Sequence, residues 1–448
     1  MPRNTLFPCY FPFCGNKEMK KVLIITYYWP PAGGAGVQRA LKFAKYLPEF
    51  GWEPIILTVE NPDSPTEDKS LLDDIPKECK VFKTKSLEPF NLYRKFTRKK
   101  SGENIPGDIL LNDTDKSIKN KLTKWIRVNL FIPDAKIGWK NYAVKKGLEI
   151  IEAENIDLIF TTSPPQTVAL IGRDLAKRSG VKWIADFRDP WMEIVYYQNL
   201  NRTKLTKAID SSLEKKVMKN ADAIITISED MANLFRRKAK DQNVFVIPNG
   251  FDETDFDSLE YERNDKFTIA YTGSMSIDRV PYSFLKALNR LINVDGIINI
   301  QIKLAGRFCP EFSEEISRNN LSEFISIQSF VPHKESTKIL QTSDALLLVI
   351  DNVLNNKGFL TGKLFEYMGC KKPIFALGPI DGDANKIIMD ADAGVMVAYD
   401  DNEGAYQLLK IMYENWKNDR SIYKFNVDKF SRKNLNKELT KAFKEIII

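Results

Sequence analysis

A lysine and a glutamate three residues apart, Lys363 and Glu366, stand at the start of a short predicted helix within GFLTGKLFEYMGCKKPIFAL. Thr361 is the residue type of a helix N-cap, and Gly369 is expected to end the helix. A lysine in the first turn opposes the helix dipole unless an anion binds there. Free amides and a cation suit a phosphate, and a carboxylate one turn away suits the hydroxyls of a ribose. We therefore predict a nucleoside diphosphate site; a simple ion pair between Lys363 and Glu366 is the alternative.

A glycine-rich turn, WPPAGGAG, joins an apolar predicted strand to the amphipathic pattern VQRALKFAKYLPEFG. Gly33, Gly34 and Gly36 would allow a ligand to approach the backbone and would leave helix amides free for an anion. The turn lacks GxGxxG spacing, which disfavours a dehydrogenase. A purely structural turn is the alternative.

Charged residues follow other predicted strands. IADFRDPW places Asp186, Arg188 and Asp189 directly after an apolar strand, either as an ion pair that fixes the loop or as groups that face the substrate. The turns YTGSMSIDR and LAGRF bring Arg279 and Arg307 to corresponding positions in the second half of the chain. These two arginines would add positive charge to the predicted phosphate site.

Composition limits the classes of function. The length of 448 residues predicts two or more domains. The residues are 43% hydrophobic and 28% charged, and the net charge is +7. This charge fits an anionic substrate or membrane surface but does not indicate nucleic-acid binding. Five cysteines without CxxC spacing indicate a reduced, cytoplasmic compartment and no zinc site. His333 is the only histidine, which disfavours histidine metal sites and a Ser-His-Asp triad. Acidic pairs such as Asp381 and Asp383 lie in loop or helix patterns, so no metal is expected.

Strand and helix patterns alternate along the chain, and the series restarts after IPNGFDETDF. This predicts two doubly wound α/β units. The predicted organisation is a disordered extension over 1–18, domains over 19–250 and 251–420, and a helical segment over 421–448 that packs back on the first domain. The extension is not a signal peptide. A basic amphipathic pattern with tryptophan over 117–131 predicts either contact with an anionic membrane or packing on the protein's own core.

An ordered set of motifs resembles the retaining family-four glycosyltransferases of GT-B fold, of the bacterial type that builds cell-surface polysaccharide and lipopolysaccharide. The set is YYWPPAGGAGVQRALKFAKYL, DFRDPW, ITISEDMANLF, VIPNGFD, YTGS, LAGR and TGKLFEYMGCKKPIFALG. It spans nearly the whole chain from Met19. The resemblance implies an α/β GT-B fold, in which two doubly wound Rossmann-like domains face a cleft.

The resemblance also implies roles for residues. The first domain would hold the acceptor near Asp186, Arg188 and Asp189, and the loop of Gly33, Gly34 and Gly36 would approach the donor phosphates. In the second domain, Glu366 would bind the ribose and backbone near Val331 the base. The diphosphate would be held by one group: Ser274, Arg279, Arg307, Leu360, Thr361, Gly362 and Lys363.

Three departures from the family pattern stand out. Gly358 occupies the position where many members have a first glutamate eight residues before the second, so the contacts to the transferred sugar should differ. Arg188 and Asp189 stand where many members have a His-Asp pair. Gly273, Ser274 and Arg279 replace the usual glycine-arginine turn, which rearranges the neutralisation of the phosphates.

The predicted activity is transfer of a hexosyl or related sugar from a nucleoside-diphosphate donor to a hydroxyl acceptor, a glycan or lipid-linked glycan, with retention of configuration. The resemblance implies neither a cofactor nor a metal, and no nucleic-acid partner. The predicted location is the cytoplasm, with peripheral contact to an anionic membrane face. A nucleotide-sugar epimerase of the same fold and a non-catalytic sugar-nucleotide-binding protein are the alternatives.

Overall fold

A computed structural model describes residues 19–62, 64, 67–87, 125–194, 200–256, 263–329 and 331–447. The predicted extension over 1–18 and most of the predicted amphipathic segment over 117–131 lie outside this range. Of that segment, residues 125–130 are described and helical.

The first unit is a seven-stranded parallel sheet in the order β3-β2-β1-β4-β5-β6-β7. Its inner strands are almost entirely buried, as expected of a parallel sheet covered by helices on both faces. The strands are β1 (Lys20–Ile25), β2 (Trp52–Val59), β3 (Lys80–Thr84), β4 (Leu158–Ser163), β5 (Lys182–Phe187), β6 (Ala223–Thr226) and β7 (Val244–Val246). The helices are α1 (Ala35–Tyr46), α2 (Lys140–Glu154), α3 (Thr167–Ser179), α4 (Lys204–Asn220) and α5 (Glu229–Lys238).

The second unit is a six-stranded parallel sheet in the order β10-β9-β8-β11-β12-β13. The strands are β8 (Phe267–Thr272), β9 (Ile300–Ala305), β10 (Ile325–Gln328), β11 (Ala345–Val349), β12 (Ile374–Leu377) and β13 (Gly394–Val397). The helices are α6 (Tyr282–Asn293), α7 (Pro310–Arg318), α8 (His333–Gln341), α9 (Gly362–Cys370), α10 (Asp383–Asp390) and α11 (Asn402–Lys417).

Strand order reverses between β1 and β4 in the first sheet and between β8 and β11 in the second. Ligands of open α/β sheets bind at such switch points, outside the carboxyl ends of the strands. The carboxyl edges of the two sheets meet. This is shown by a hydrogen bond of 2.8 Å from the backbone N–H of Asp230, which follows β6, to the carboxylate of Asp383, which follows β12. The two switch points therefore belong to facing edges.

A last helix, α12 (Arg432–Ile447), returns from the second unit and packs on the first. Its ring of Phe443 lies 5.0 Å from that of Trp52 and 5.5 Å from that of Phe160, all fully buried. The chain passes between the units twice, and the two passages are joined by a hydrogen bond from the N–H of Phe251 to the carbonyl of Phe430.

None of the described helices combines the length and apolar character that crossing a membrane would need.

We expect Phe443→Ala to lower the free energy of unfolding by about 3–5 kcal/mol, because it leaves a cavity between Trp52 and Phe160. Urea unfolding measures the change, and Lys444→Ala, an exposed neighbour on the same helix, serves as the control. A loss below about 1 kcal/mol would show that α12 is not held by this aromatic contact.

Candidate functional site

The N-terminus of α9 lies at the β8/β11 switch point. Thr361 is the N-cap in extended conformation, but its hydroxyl oxygen makes no capping bond and is buried without a partner. Within the described residues, the N–H groups of Gly362 and Lys363 meet no hydrogen-bond acceptor either. Three donors are thus collected at a helix N-terminus, the arrangement that binds a phosphate.

Lys363 is a half-buried cation without a counter-ion. Its Nζ lies 5.1 Å from the centre of the Tyr271 ring, and no carboxylate of the described chain pairs with it. Burial, reinforced by the nearby charge of Arg279, lowers the pKa of Lys363 to about 8. An anion bound at the helix N-terminus would offset both effects.

Gly273 makes room for this lysine. Its φ of +111° is unfavourable for other residues, and a Cβ there would lie 2.7 Å from Cε of Lys363. Gly306, at the end of the neighbouring strand, packs against the carbonyl of Gly273. The two glycines allow β8 and β9 to end close together beneath the lysine.

Arg279 is neutralised within the protein. Its Nη2 donates to Oδ2 of Asp351 over 3.0 Å, and its Nη1 donates to the carbonyl of Ser274 over 3.2 Å. Burial opposes the charge of Arg279, but the ion pair with Asp351 outweighs it and raises the pKa. Asp351 follows β11 directly and was not predicted, although an acidic residue after an apolar strand is the signal that singled out Asp186.

Arg307 follows β9, and its side chain is exposed with no ion pair in the described chain. Its carbonyl accepts a hydrogen bond from the N–H of Met275 over 2.8 Å, which joins the two predicted turns. Its guanidinium is therefore available to an anion at this edge.

Glu366 lies one turn after Lys363, half-buried, and makes neither a hydrogen bond nor an ion pair within the described residues. The simple intrahelical pair with Lys363 is therefore not formed.

Leu360 is buried beside this turn, and Val331 is half-buried just before α8. The predicted contacts of Glu366 to a ribose and of the backbone near Val331 to a base stay predictions.

Gly369 does not end α9 as predicted. The helix continues to Cys370, and Lys371 in left-handed conformation (φ +52°) follows it. Gly369 instead lies against the ring of Phe256, from which a Cβ would be 2.3 Å away. The absence of a side chain at Gly369 thus allows α9 to pack against Phe256, in the connection between the units.

The glycine turn of the first unit opens α1. Gly34 is the N-cap with φ +92°, and no side chain caps the helix. Arg188 holds the turn, since its Nη1 donates to the carbonyl of Gly36 over 2.7 Å while its other nitrogens donate to the carbonyls of Ser163 and Pro164. Gly33 is buried within the same turn. Arg188 is thus a positioning residue that joins the ends of β4 and β5 to the start of α1.

Asp186 is fully buried and pairs with Arg39, whose Nη2 lies 2.7 Å from Oδ1. Thr162 donates to the other carboxylate oxygen over 2.6 Å. Arg39 also donates to the carbonyl of Ile247 over 2.9 Å, at the end of β7. Asp186 thus forms an ion pair, but a long-range one with Arg39 rather than the local pair within its own loop that was the alternative to a substrate contact, and its carboxylate is fully buried.

Asp189 differs from Asp186. It is half-buried and has no hydrogen-bond or ion-pair partner among the described residues. Burial raises the pKa of Asp189, and the charge of Arg188 only partly opposes this. A carboxylate of this kind, at the cleft-facing end of β5, can accept a proton or orient a hydroxyl group.

Gly358 lies where the two sheets meet. A Cβ at this position would be 3.0 Å from Oδ2 of Asp230 and 3.1 Å from Oγ of Ser228, both in the first unit. A glutamate at 358 would bring a second carboxylate against Asp230. The departure from the family pattern at this position therefore has a steric and electrostatic reason.

Asp74, Asp252 and Asp255 form an acidic group of metal-binding size within the described chain. The ammonium of Lys42 lies 2.7–2.8 Å from all three, and Lys45 pairs with two of them. Two lysines thus compensate the acidic charge, and the group ties α1 to the connection between the units.

Residues 108–255 match the family described as Glycosyltransferase Family 4. The fold is similar to that of Anabaena Alr3699/HepE in complex with UDP, with TM-score 0.57, 13% identity and coverage of 95% of this chain and 100% of that one. The lipopolysaccharide outer core galactosyltransferase WaaB gives TM-score 0.55 at 13% identity, with 95% and 99% covered. No curated protein sequence matches the chain.

The family match covers 148 of the 448 residues and agrees with the predicted family. The prediction of a two-domain α/β GT-B fold is confirmed. A putative UDP-N-acetylglucosamine 2-epimerase from Listeria monocytogenes is also similar in fold, with TM-score 0.55, 12% identity and coverage of 95% and 96%. The fold alone thus occurs in more than one enzyme class, and the finer assignment depends on the site.

We expect Arg39→Met to destabilise the protein by about 3–5 kcal/mol in urea unfolding, because Asp186 is left buried and unpaired. The double variant Arg39→Met, Asp186→Leu should recover part of this loss, since no charge then remains buried. If the double variant is less stable than Arg39→Met, the pair does not act as a buried ion pair.

The pKa of Lys363 predicts a pH dependence. Because the protonated amine attracts the anion, affinity for a nucleoside diphosphate should be constant below about pH 8 and fall above it, by up to about tenfold per pH unit. Isothermal titration with UDP at several pH values measures this. Lys363→Arg should keep its affinity over the same range, and an unchanged fall in that variant would assign the titration to another group.

Proposed function

We propose that this glycosyltransferase moves a sugar from a nucleoside-diphosphate donor to a hydroxyl group of a glycan or lipid-linked glycan, with retention of configuration and without a metal ion. One observation carries the proposal: the unpaired Lys363 stands beside two free amides and the buried, unpartnered hydroxyl of Thr361 at the β8/β11 switch point. The UDP complex of the similar HepE supports a nucleotide-sugar donor.

Cleavage of the sugar–phosphate bond leaves negative charge on the diphosphate. Lys363 and the amides of α9 would stabilise that charge in a partly desolvated site, where fixed donors contribute most. Arg307 supplies a second cation at the same edge, while Asp351 holds Arg279 in a fixed orientation. The protein's own cations thus provide the electrostatic contribution to the reaction.

The acceptor hydroxyl loses its proton as the new glycosidic bond forms. In the proposed mechanism the departing phosphate oxygen takes this proton on the same face of the sugar, which gives retention. Asp189 would orient the acceptor through a hydrogen bond, and Arg188 would act indirectly by holding the loop at Gly36. We assign Asp186 to the stability of this edge.

The ribose of the donor would lie next to Glu366. Its carboxylate is one turn from Lys363 and has no partner in the part of the chain that the structure describes, so it can accept hydrogen bonds from two vicinal hydroxyls. Gly358, packed on Asp230, offers no side chain to the transferred sugar. Selection of that sugar would then depend on backbone groups and on the first unit.

An epimerase is the second candidate, because one is similar in fold. The single histidine argues against it: His333 is the exposed first residue of α8 and not part of the charged groups at either switch point. Incubation of donor without acceptor separates the two activities. A new sugar-nucleotide isomer would support the epimerase, and product formed only with acceptor would support the transferase.

A polysaccharide or lipopolysaccharide pathway on the cytoplasmic face of a membrane is the proposed setting. The lipopolysaccharide galactosyltransferase WaaB, similar in fold, is consistent with it. Binding of donor without transfer to any acceptor in a membrane extract would favour the non-catalytic alternative.

We expect Lys363→Ala to lower the rate of transfer by about a hundredfold or more, as for loss of a donor that stabilises a developing anion. Release of free nucleoside diphosphate in the presence of acceptor extract measures the rate. Lys286→Ala, an exposed lysine on α6 away from the site, is the matched control. Glu366→Gln should raise KM for the donor, and near-normal turnover of Lys363→Ala would remove this lysine from the phosphate site.

A further inference from the structure

The outer face of α4 carries lysines without acidic partners. Five lysines of this helix are exposed, and none forms an ion pair within the described chain: Lys204, Lys207, Lys215, Lys216 and Lys219. The only two acidic residues of α4, Asp210 and Glu214, are buried. Asp210 accepts from Nε1 of Trp191 and pairs with Arg202, and Glu214 pairs with Lys238. Because both carboxylates are bound inside the protein, the charged side chains on the solvent face of α4 are all lysines.

Apolar side chains are exposed on the same helix. Leu205 is 70% exposed and Ile209, one turn later, is 41% exposed. With 3.6 residues per turn these two lie on one side of α4, away from the buried Thr206, Asp210 and Val217. The outer face therefore combines large apolar groups with positive charge.

The helical residues 125–130 extend this surface. Asn129 is buried and joins them to the start of α4, since its Nδ2 donates to the carbonyl of Asn201 over 3.1 Å and its Oδ1 accepts from the N–H of Thr203 over 2.8 Å. On either side of Asn129, Trp125 is 45% exposed and Leu130 is 64% exposed. Two short stretches that are distant in sequence but joined through Asn129 thus expose four large apolar residues.

We propose that the outer face of α4, with residues 125–130, binds the surface of an anionic lipid bilayer. Lysines attract the negatively charged headgroups, while leucine, isoleucine and tryptophan enter the headgroup boundary. A nucleic acid would match the charge but not the exposed aliphatic residues, and an apolar protein partner would not match the unpaired lysines. The bilayer matches both.

The surface is joined to the proposed acceptor edge. Trp191, two residues after Asp189, donates to Asp210 of α4 over 2.7 Å, so the loop after β5 is fixed to the helix that would contact the lipid. A bilayer on α4 would therefore lie near the edge that is proposed to receive the acceptor. Binding itself does not depend on the transfer activity and is measured without substrate.

The test is co-sedimentation of the full chain with vesicles of phosphatidylcholine alone and of phosphatidylcholine mixed with phosphatidylglycerol. We expect binding to the mixed vesicles that weakens with added salt. The variant Lys204→Glu, Lys215→Glu, Lys219→Glu should bind at least about tenfold more weakly, since each lysine near an anionic surface contributes to the attraction. Leu205→Ala with Ile209→Ala should weaken binding without changing the net charge.

The matched control is Lys266→Glu, Lys286→Glu, Lys417→Glu, which makes the same change of charge at exposed lysines of the second unit. Its vesicle binding should equal that of the unchanged protein. UDP binding, measured in all variants, reports whether each remains folded and tests the donor site separately. The proposal is overturned if the unchanged protein does not prefer anionic vesicles, if both lysine variants lose binding equally, or if the α4 variant changes only the oligomeric state.

Discussion

The charge on Lys363 is the constraint on which the proposed site depends. A lysine in the first turn of α9 is held against Tyr271, close to Arg279 and without a carboxylate partner, at a cost that shows in its lowered pKa. Helix dipole, burial and neighbouring charge all oppose it. An anion bound at the helix N-terminus would offset these effects, so the proposed site would exchange local stability for affinity.

The first unit uses its charges in the opposite way. Arg39 is matched by Asp186, and Lys42 by Asp252, in contacts that are satisfied within the protein. The Arg39–Asp186 pair joins α1 to β5, and the Lys42–Asp252 pair joins α1 to the connection between the units. They hold the edge at which Asp189 remains unpaired. At the switch points, positive charge is therefore left available in the second unit, while in the first unit the charges of Arg39 and Lys42 are used to fix the proposed acceptor edge.

The sequence pattern predicted those features of the structure that depend on residues close together in the chain. Long apolar runs gave correct positions for strands such as β4 and β5, and the N-cap of α9 lies at Thr361 as predicted. Short edge strands were missed: β3 and β7 are only partly buried, and β7 and β13 are three and four residues long. The partners of Asp186 and Arg279 could not be predicted, because they lie 147 and 72 residues away in the chain.

The same distinction explains why the α4 surface escaped sequence reasoning. Residues 204–219 contain both lysines and acids, so the segment reads as an ordinary solvated helix with mixed charge. Only the fold reveals that Asp210 and Glu214 turn inward to Trp191 and Lys238. Each of these buried carboxylates is used by a partner inside the protein, so the lysines alone determine the charge of the solvent-facing side of α4. The net charge of a helix surface therefore depends on which of its charged side chains are buried and paired inside the protein.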